Sequence, residues 1–119
     1  MRYTDWVSLN ELFDAPVSGG LFQIKIRDQL LLYPTGKSAM FYYGFAENLE
    51  DALRKFKDEF VPVLGADART LMVRWMAVDG VTERFRKQLK LFHTNFGSLP
   101  EGNEIWLQKM AATVKKPAG

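Results

Sequence analysis

The chain has 119 residues, of which 47% are hydrophobic, 13% aromatic and 25% charged, and its formal net charge is +2. This length and composition predict one globular domain with a single core and exclude a disordered chain. Cysteine is absent, which excludes disulfide scaffolds, thiolate metal sites and cysteine nucleophiles. The net charge is too small to indicate nucleic acid by itself. With neither a signal-like segment nor an apolar run of about 20 residues, we expect a cytoplasmic protein without a membrane partner.

The first part of the chain predicts a lead-in and two antiparallel strands. A capping-box spacing indicates one short helical turn over 9–13. Apolar and polar residues then alternate over 21–26, which predicts a half-buried strand. After a turn and a short apolar run, the segment 34–38 is typical of a connecting loop, and the run 39–45 is typical of a central strand antiparallel to the first.

A helix and a third strand are predicted next. Asn48 is a strong N-cap residue, and the apolar residues that follow it have the i, i+3, i+4, i+7 spacing of one buried stripe. Pro62 and Gly65 are expected to end this helix. The apolar run 69–78 then predicts a strand that closes at an Asp-Gly turn.

The last part of the chain predicts a second long helix. Thr82 is the expected N-cap and Gly97 the expected C-cap, with four apolar residues on the buried face between them. The segment 99–103 is expected to be a loop, and 105–114 a final amphipathic helix. The order of elements predicts an α+β fold in which a small antiparallel sheet of about three strands is flanked by helices.

Two short motifs add a family resemblance. Gly20-Leu21-Phe22 is followed twenty residues later by Tyr42-Tyr43-Gly44 and then by Asn48-Leu49. This arrangement resembles the two-part signature of the GIY-YIG nuclease superfamily, in which a Gly-Ile-Tyr strand pairs with a Tyr-Ile-Gly strand that leads into an Asn-Leu helix start. The resemblance covers roughly 20–103. We therefore expect one domain over 1–119, with a lead-in over 1–18, a GIY-YIG-like core over 19–106, and the end of the last helix and a tail over 107–119.

The resemblance also implies five functional positions, and only two carry the expected residue type. The second-motif tyrosine falls on Tyr42, and the family's terminal asparagine falls on Asn103. The first-motif tyrosine, which acts as the base, falls on Phe22, which has no hydroxyl. The arginine position falls on Ala52, and the metal-binding glutamate position falls near Phe85. These three are degenerate positions, although aromatic residues of this kind also form the core of any small α+β domain.

A metal-dependent hydrolase needs its metal and its base together, so the resemblance implies a catalytically degenerate domain that needs no cofactor. An active endonuclease is the alternative. In that case Tyr42 or Tyr43 is the base, and Glu83 or Glu47 holds a magnesium ion. Arg54 does not replace the missing arginine, because two residues turn a helix by about 200°.

Basic residues on the two predicted helices indicate a partner. Arg86, Lys90 and His93 are spaced i, i+4 and i+7, with Lys87 beside them and Arg54 on the earlier helix. Such a stripe is typical either of a surface that follows a phosphate backbone or of a solvated helix face. We expect DNA or RNA binding without cleavage.

A protein-interaction module on the same fold is a further alternative for this chain. An exposed aromatic patch around Trp6, Trp75 or Trp106 would favour it, because interaction surfaces are enriched in tryptophan and tyrosine.

Overall fold

The computed structural model describes residues 2–11 and 15–115, with the backbone alone at 68 and 112–115. The strands are β1 Val7–Ser8, β2 Gly20–Ile26, β3 Leu31–Tyr33, β4 Gly36–Ser38, β5 Met40–Ala46 and β6 Leu71–Ala77. The helices are α1 Leu49–Lys55, a π-helical turn Phe56–Phe60, α2 Val61–Val63, α3 Val81–Phe96 and α4 Glu101–Lys115, and two 3-10 turns cover Leu9–Glu11 and Ala68–Thr70. The predicted α+β class with an antiparallel sheet is confirmed.

The main sheet has four strands in the order β1-β6-β2-β5, and every pairing is antiparallel. Strand β2 lies in the middle, where Phe22 stands opposite Gly44 of β5 on one side and Trp75 of β6 on the other. The sequence predicted a central strand over 39–45. That position was wrong, because the corresponding strand β5 lies at the edge of the sheet. Most of its residues are nevertheless buried, since helices cover both of its faces and part of its free edge.

Helices lie on both faces of the sheet. On one face α1 and the π-helical turn cover the larger core, in which Ile24, Leu53 and Phe56 are buried. On the other face α3 packs chiefly on β5, and its Phe92 is buried against Tyr43. The alternation of side chains along β5 therefore sends Tyr42 and Tyr43 to opposite faces.

Two connecting segments hold strands that the pattern did not predict. The expected loop 34–38 contains β4, which pairs with β3 as a two-stranded hairpin. In the lead-in, β1 pairs with β6. The helical turn expected over 9–13 is a 3-10 turn over Leu9–Glu11, and its predicted end lies outside the described residues. Strands of two or three residues are too short to show a period of two.

The first helix begins as predicted. The Asn48 side-chain oxygen accepts from the backbone N–H of Asp51 at 3.0 Å, so Asn48 is the N-cap. The helix widens into a π-helical turn, in which the Val61 N–H donates to Phe56, and it ends at Val63. Pro62 lies inside this last turn, and its missing N–H accounts for the irregularity immediately before it.

The later helices begin earlier than predicted. Helix α3 starts at Val81, with Gly80 as its N-cap in the left-handed conformation, so the assignment of Thr82 as N-cap was wrong. It ends at Gly97, which has a φ of 82° and is the predicted C-cap. Helix α4 begins at Glu101, inside the segment expected to be a loop. The Glu104 carboxylate accepts from the Leu99 N–H at 3.2 Å and so stabilises this start.

Candidate functional site

A cavity of about 190 Å³ lies beside the free edge of β5. Its lining combines both faces of the sheet with the first helix and the start of α3: Phe22, Tyr42, Gly44, Phe45, Ala52, Lys55, Phe60 and Phe85. The four positions that the resemblance assigns to Phe22, Tyr42, Ala52 and Phe85 thus come together in one cavity. Asn103, the fifth, is not part of its lining.

The aromatic ring of Phe22 forms part of the cavity lining. It lies flat against Gly44 of the neighbouring strand, where an added Cβ would stand 2.1 Å from the Phe22 Cζ. It also stacks on Tyr42, with ring centroids 6.0 Å apart. Gly44 is therefore required by the ring that crosses it, and the glycine of the second motif has a packing reason independent of any catalytic role.

Tyr42 contributes the one hydroxyl among the residues that line the cavity. The residue is 9% exposed, and burial raises the pKa of its phenol to about 12. Among residues 2–11 and 15–115, no group forms a hydrogen bond with its hydroxyl. A phenol with so high a pKa stays protonated at neutral pH, so it donates hydrogen bonds and is a poor proton acceptor.

Phe45 and Phe85 form the outer side of the cavity. Their ring centroids are 4.8 Å apart, and Phe45 is 45% exposed. Lys55 lines the cavity from the first helix, and its ammonium lies 3.6 Å from the Asp51 carboxylate. The cavity therefore offers aromatic faces, one phenol and one cation at its rim.

Asn103 has a structural position in α4. Its side-chain oxygen accepts from the Tyr43 N–H, and its side-chain NH₂ donates to the Tyr43 C=O, both at 2.9 Å. Asn103 is 7% exposed, and its amide takes the place that a neighbouring strand would occupy at the free edge of β5. Both ends of the amide are engaged by the Tyr43 backbone, so Asn103 has a structural role at this edge.

The carboxylates do not gather at the cavity. Glu83 is exposed and forms an ion pair with Lys87 at 3.3 Å. The residues that line the cavity include no carboxylate. No three His, Asp or Glu side chains cluster anywhere in the described part of the chain. Magnesium prefers carboxylate and other hard oxygen ligands, so the residues at this cavity do not fit the magnesium ion that an active family member would use.

Tyr43, the other candidate base, faces away from the cavity lining and towards α3. Its pKa is also raised to about 12, chiefly by burial. Arg54 forms an ion pair with Glu50 at 2.8 Å on the exposed side of α1. Neither residue therefore completes the set that hydrolysis would require.

The basic residues of α3 divide between two flanks of the helix. The Gln88 side-chain NH₂ donates to the Tyr3 hydroxyl. The next residue, Thr4, donates its backbone N–H to the Trp75 C=O of β6. Gln88 therefore lies on the flank of α3 that faces the middle of the sheet. Arg86 precedes Gln88 by two residues, about 200° around the helix, and so lies towards β5. Lys90 follows it one turn later. Within the described chain neither Arg86 nor Lys90 forms an ion pair, whereas Lys87 does.

A second cationic cluster on the sheet was not predicted. The Arg74 guanidinium lies 4.6 Å from the ring centroids of both Tyr3 and Trp6, and its Nε donates to Gln23 at 2.8 Å. Lys25 lies 4.6 Å over the same Trp6 ring. The alternation of β2 and β6 places Gln23, Lys25 and Arg74 on one face, but nothing in the pattern shows that the lead-in supplies the rings.

Comparison with family models, with curated proteins and with solved structures finds no match for this chain. None of the helices in the described ranges is both long enough and apolar enough to span a membrane.

Proposed function

We propose that this domain binds DNA or RNA without cleaving it, on a scaffold of the GIY-YIG type. The observation that carries the proposal is the pair Arg86 and Lys90 of α3, which form no ion pair with the described residues. Arg86 directly follows Phe85 of the cavity lining. Both cations are exposed. Four residues separate them, or about 6 Å along the helix axis, so long side chains reach a single stretch of phosphate backbone together.

Four of the other cations already have partners, so they are less suited to bind a phosphate. Arg54, Lys55 and Lys87 each have a carboxylate partner, and Arg74 is held between two rings. A phosphate that approached any of these groups would compete with an existing contact. Arg86 and Lys90 present no such cost.

The absence of cleavage is proposed from the chemistry of the cavity. Phe22 and Ala52 have no group that takes or gives a proton, and Tyr42 has a pKa of about 12. A base and a positioned metal are both needed to activate water at neutral pH. The lining offers neither of them.

A protein partner has less support in the geometry. Trp75 is buried, and Trp6 and Trp106 are half-buried against Lys25 and Phe60 respectively. The exposed tryptophan patch that would favour a protein-interaction module is therefore not formed by these three residues.

The test is a titration of a fluorescent single-stranded oligonucleotide by anisotropy over a range of salt concentrations. For single strands each phosphate contact contributes about 0.7 to the slope of log K against log salt. We expect the double variant Arg86→Gln/Lys90→Gln to lower the slope by about 1.4 and to weaken binding at low salt.

The matched control is Arg27→Gln/Lys37→Gln, which removes the same charge. Arg27 follows the end of β2, five residues and about 17 Å along the strand from Phe22, and Lys37 lies in the hairpin. We expect this control to keep the slope of the parent protein. Equal loss in both double variants, or no binding by the parent protein at low salt, would overturn the proposal.

A further inference from the structure

The cavity beside β5 has the size of one ring system. Sites for drug-sized ligands occupy roughly 300–1,000 Å³, and an engineered apolar cavity of about 150 Å³ takes benzene. At about 190 Å³, this cavity accommodates a single substituted ring but not a whole nucleotide.

Its lining is suited to a flat ring with a carbonyl group. Five of the eight lining residues are aromatic, and aromatic faces stack on any base. Tyr42 lines the cavity and its hydroxyl has no hydrogen-bond partner among the described residues, so this donor is free for a ligand. A ring carbonyl placed in the cavity would satisfy it.

The rim of the cavity is open and cationic. Phe45, which is 45% exposed, forms its outer side together with Phe85. Arg86 follows Phe85 directly in the chain, and Lys55 belongs to the lining on the α1 side. A nucleic-acid strand whose ring enters the cavity would therefore have the unpaired Arg86 next to it for a phosphate contact.

From this geometry we infer that the cavity takes one unpaired pyrimidine base of a single-stranded nucleic acid whose phosphates lie on Arg86 and Lys90. Every pyrimidine base carries the O2 carbonyl that the Tyr42 hydroxyl can bind, whereas adenine carries no carbonyl. A purine is also larger than the single ring that fits. The inference rests on the proposed function and adds to it the kind of base that is recognised.

The test uses an oligonucleotide of abasic units that carries one thymine at its centre, the same strand with one adenine, and the fully abasic strand. Anisotropy gives the affinity of the parent protein for each. We expect the thymine strand to bind about tenfold more tightly than the abasic strand, within the range that stacking of one base gives. The adenine strand should bind within about twofold of the abasic one.

Two variants assign the effect to the cavity. Ala52→Leu places a larger side chain in the cavity from α1, where leucine keeps the helix propensity of alanine, and we expect the thymine-to-abasic ratio to fall to about one. Tyr42→Phe keeps the ring and removes the hydroxyl, and the ratio should fall about threefold. Thermal unfolding shows whether each variant is folded. The two variants alter different groups of the cavity, so one of them still tests the inference if the other does not fold.

The outcomes distinguish failure of this inference from failure of the proposed nucleic-acid binding. If all three strands bind equally and with strong salt dependence, nucleic-acid binding stands and the base cavity is refuted. If no strand binds, both proposals fail. If free thymidine competes at the same concentration as the thymine strand, the cavity is a small-molecule site and the inference is overturned.

Discussion

Removal of the Asn103 side chain should destabilise the whole sheet, because this amide completes the free edge of β5. In Asn103→Ala the N–H and C=O of Tyr43 lose their partners at a position where Asn103 itself is only 7% exposed. Two hydrogen bonds contribute about 1 kcal/mol each, and a buried group left unpaired costs about 1–3 kcal/mol. Alanine recovers about 0.5 kcal/mol of helix propensity. We expect the free energy of unfolding to fall by about 2–4 kcal/mol.

Urea denaturation followed by tryptophan fluorescence measures this change. With a slope of roughly 1.5 kcal/mol per molar urea, the midpoint should move down by about 1.3–2.7 M. The matched control is Asn95→Ala on α3, where the exposed side chain forms no hydrogen bond with the rest of the described protein. We expect it to stay within about 0.5 kcal/mol of the parent protein. If Asn103→Ala behaved like this control, the structural account of Asn103 would be refuted.

Two other perturbations test the packing and the electrostatics of the cavity. Gly44→Ala would place a methyl group 2.1 Å from the Phe22 ring, and overpacking of this kind costs about 1–3 kcal/mol. In urea denaturation, the added change Phe22→Leu should recover part of this loss of stability. If the losses of the two single variants simply add in the double variant, the assigned contact is contradicted. The phenol of Tyr42 has a pKa of about 12 in the folded protein against an ordinary value near 10, so the folded state holds the proton more tightly. Its contribution to stability is therefore present below pH 10 and is lost as pH rises towards 12, by about 2–3 kcal/mol. Tyr42→Phe should flatten the decline of stability over this range, and an unchanged decline would show that Tyr42 is not its source.

The sequence predicted the elements whose own side chains carry the pattern. The apolar stripe after Asn48 reflects a helix that is buried on one side. Alternation along β2 identified a strand, but the prediction that it is half-buried was wrong. Leu21 and Gln23 on one face are buried, as are Phe22 and Ile24 on the other. Strand β5 shows why the topology was harder to predict. Phe41, Tyr42 and Tyr43 are all buried, and a strand covered on both faces has the same apolar run at an edge as in the centre.

The candidate site was predictable only where the motif residues define it. Phe22, Tyr42, Ala52 and Phe85 line one cavity, but Phe45 and Phe60 have no sequence signal that separates them from core residues. Whether a basic side chain forms an ion pair depends on which residues lie one turn away on its helix. Lys87 and Arg54 are each paired with a carboxylate four residues earlier, a spacing that the sequence itself shows.

The most direct measurement of the central claim follows binding and integrity of one labelled oligonucleotide in the same samples. The protein is incubated with the strand at low salt, with magnesium, with manganese and with chelator, and each sample is examined by anisotropy and then on a denaturing gel. The account predicts saturable, salt-sensitive binding with the strand intact in all conditions. Cleavage that requires the metal and disappears with chelator would contradict it.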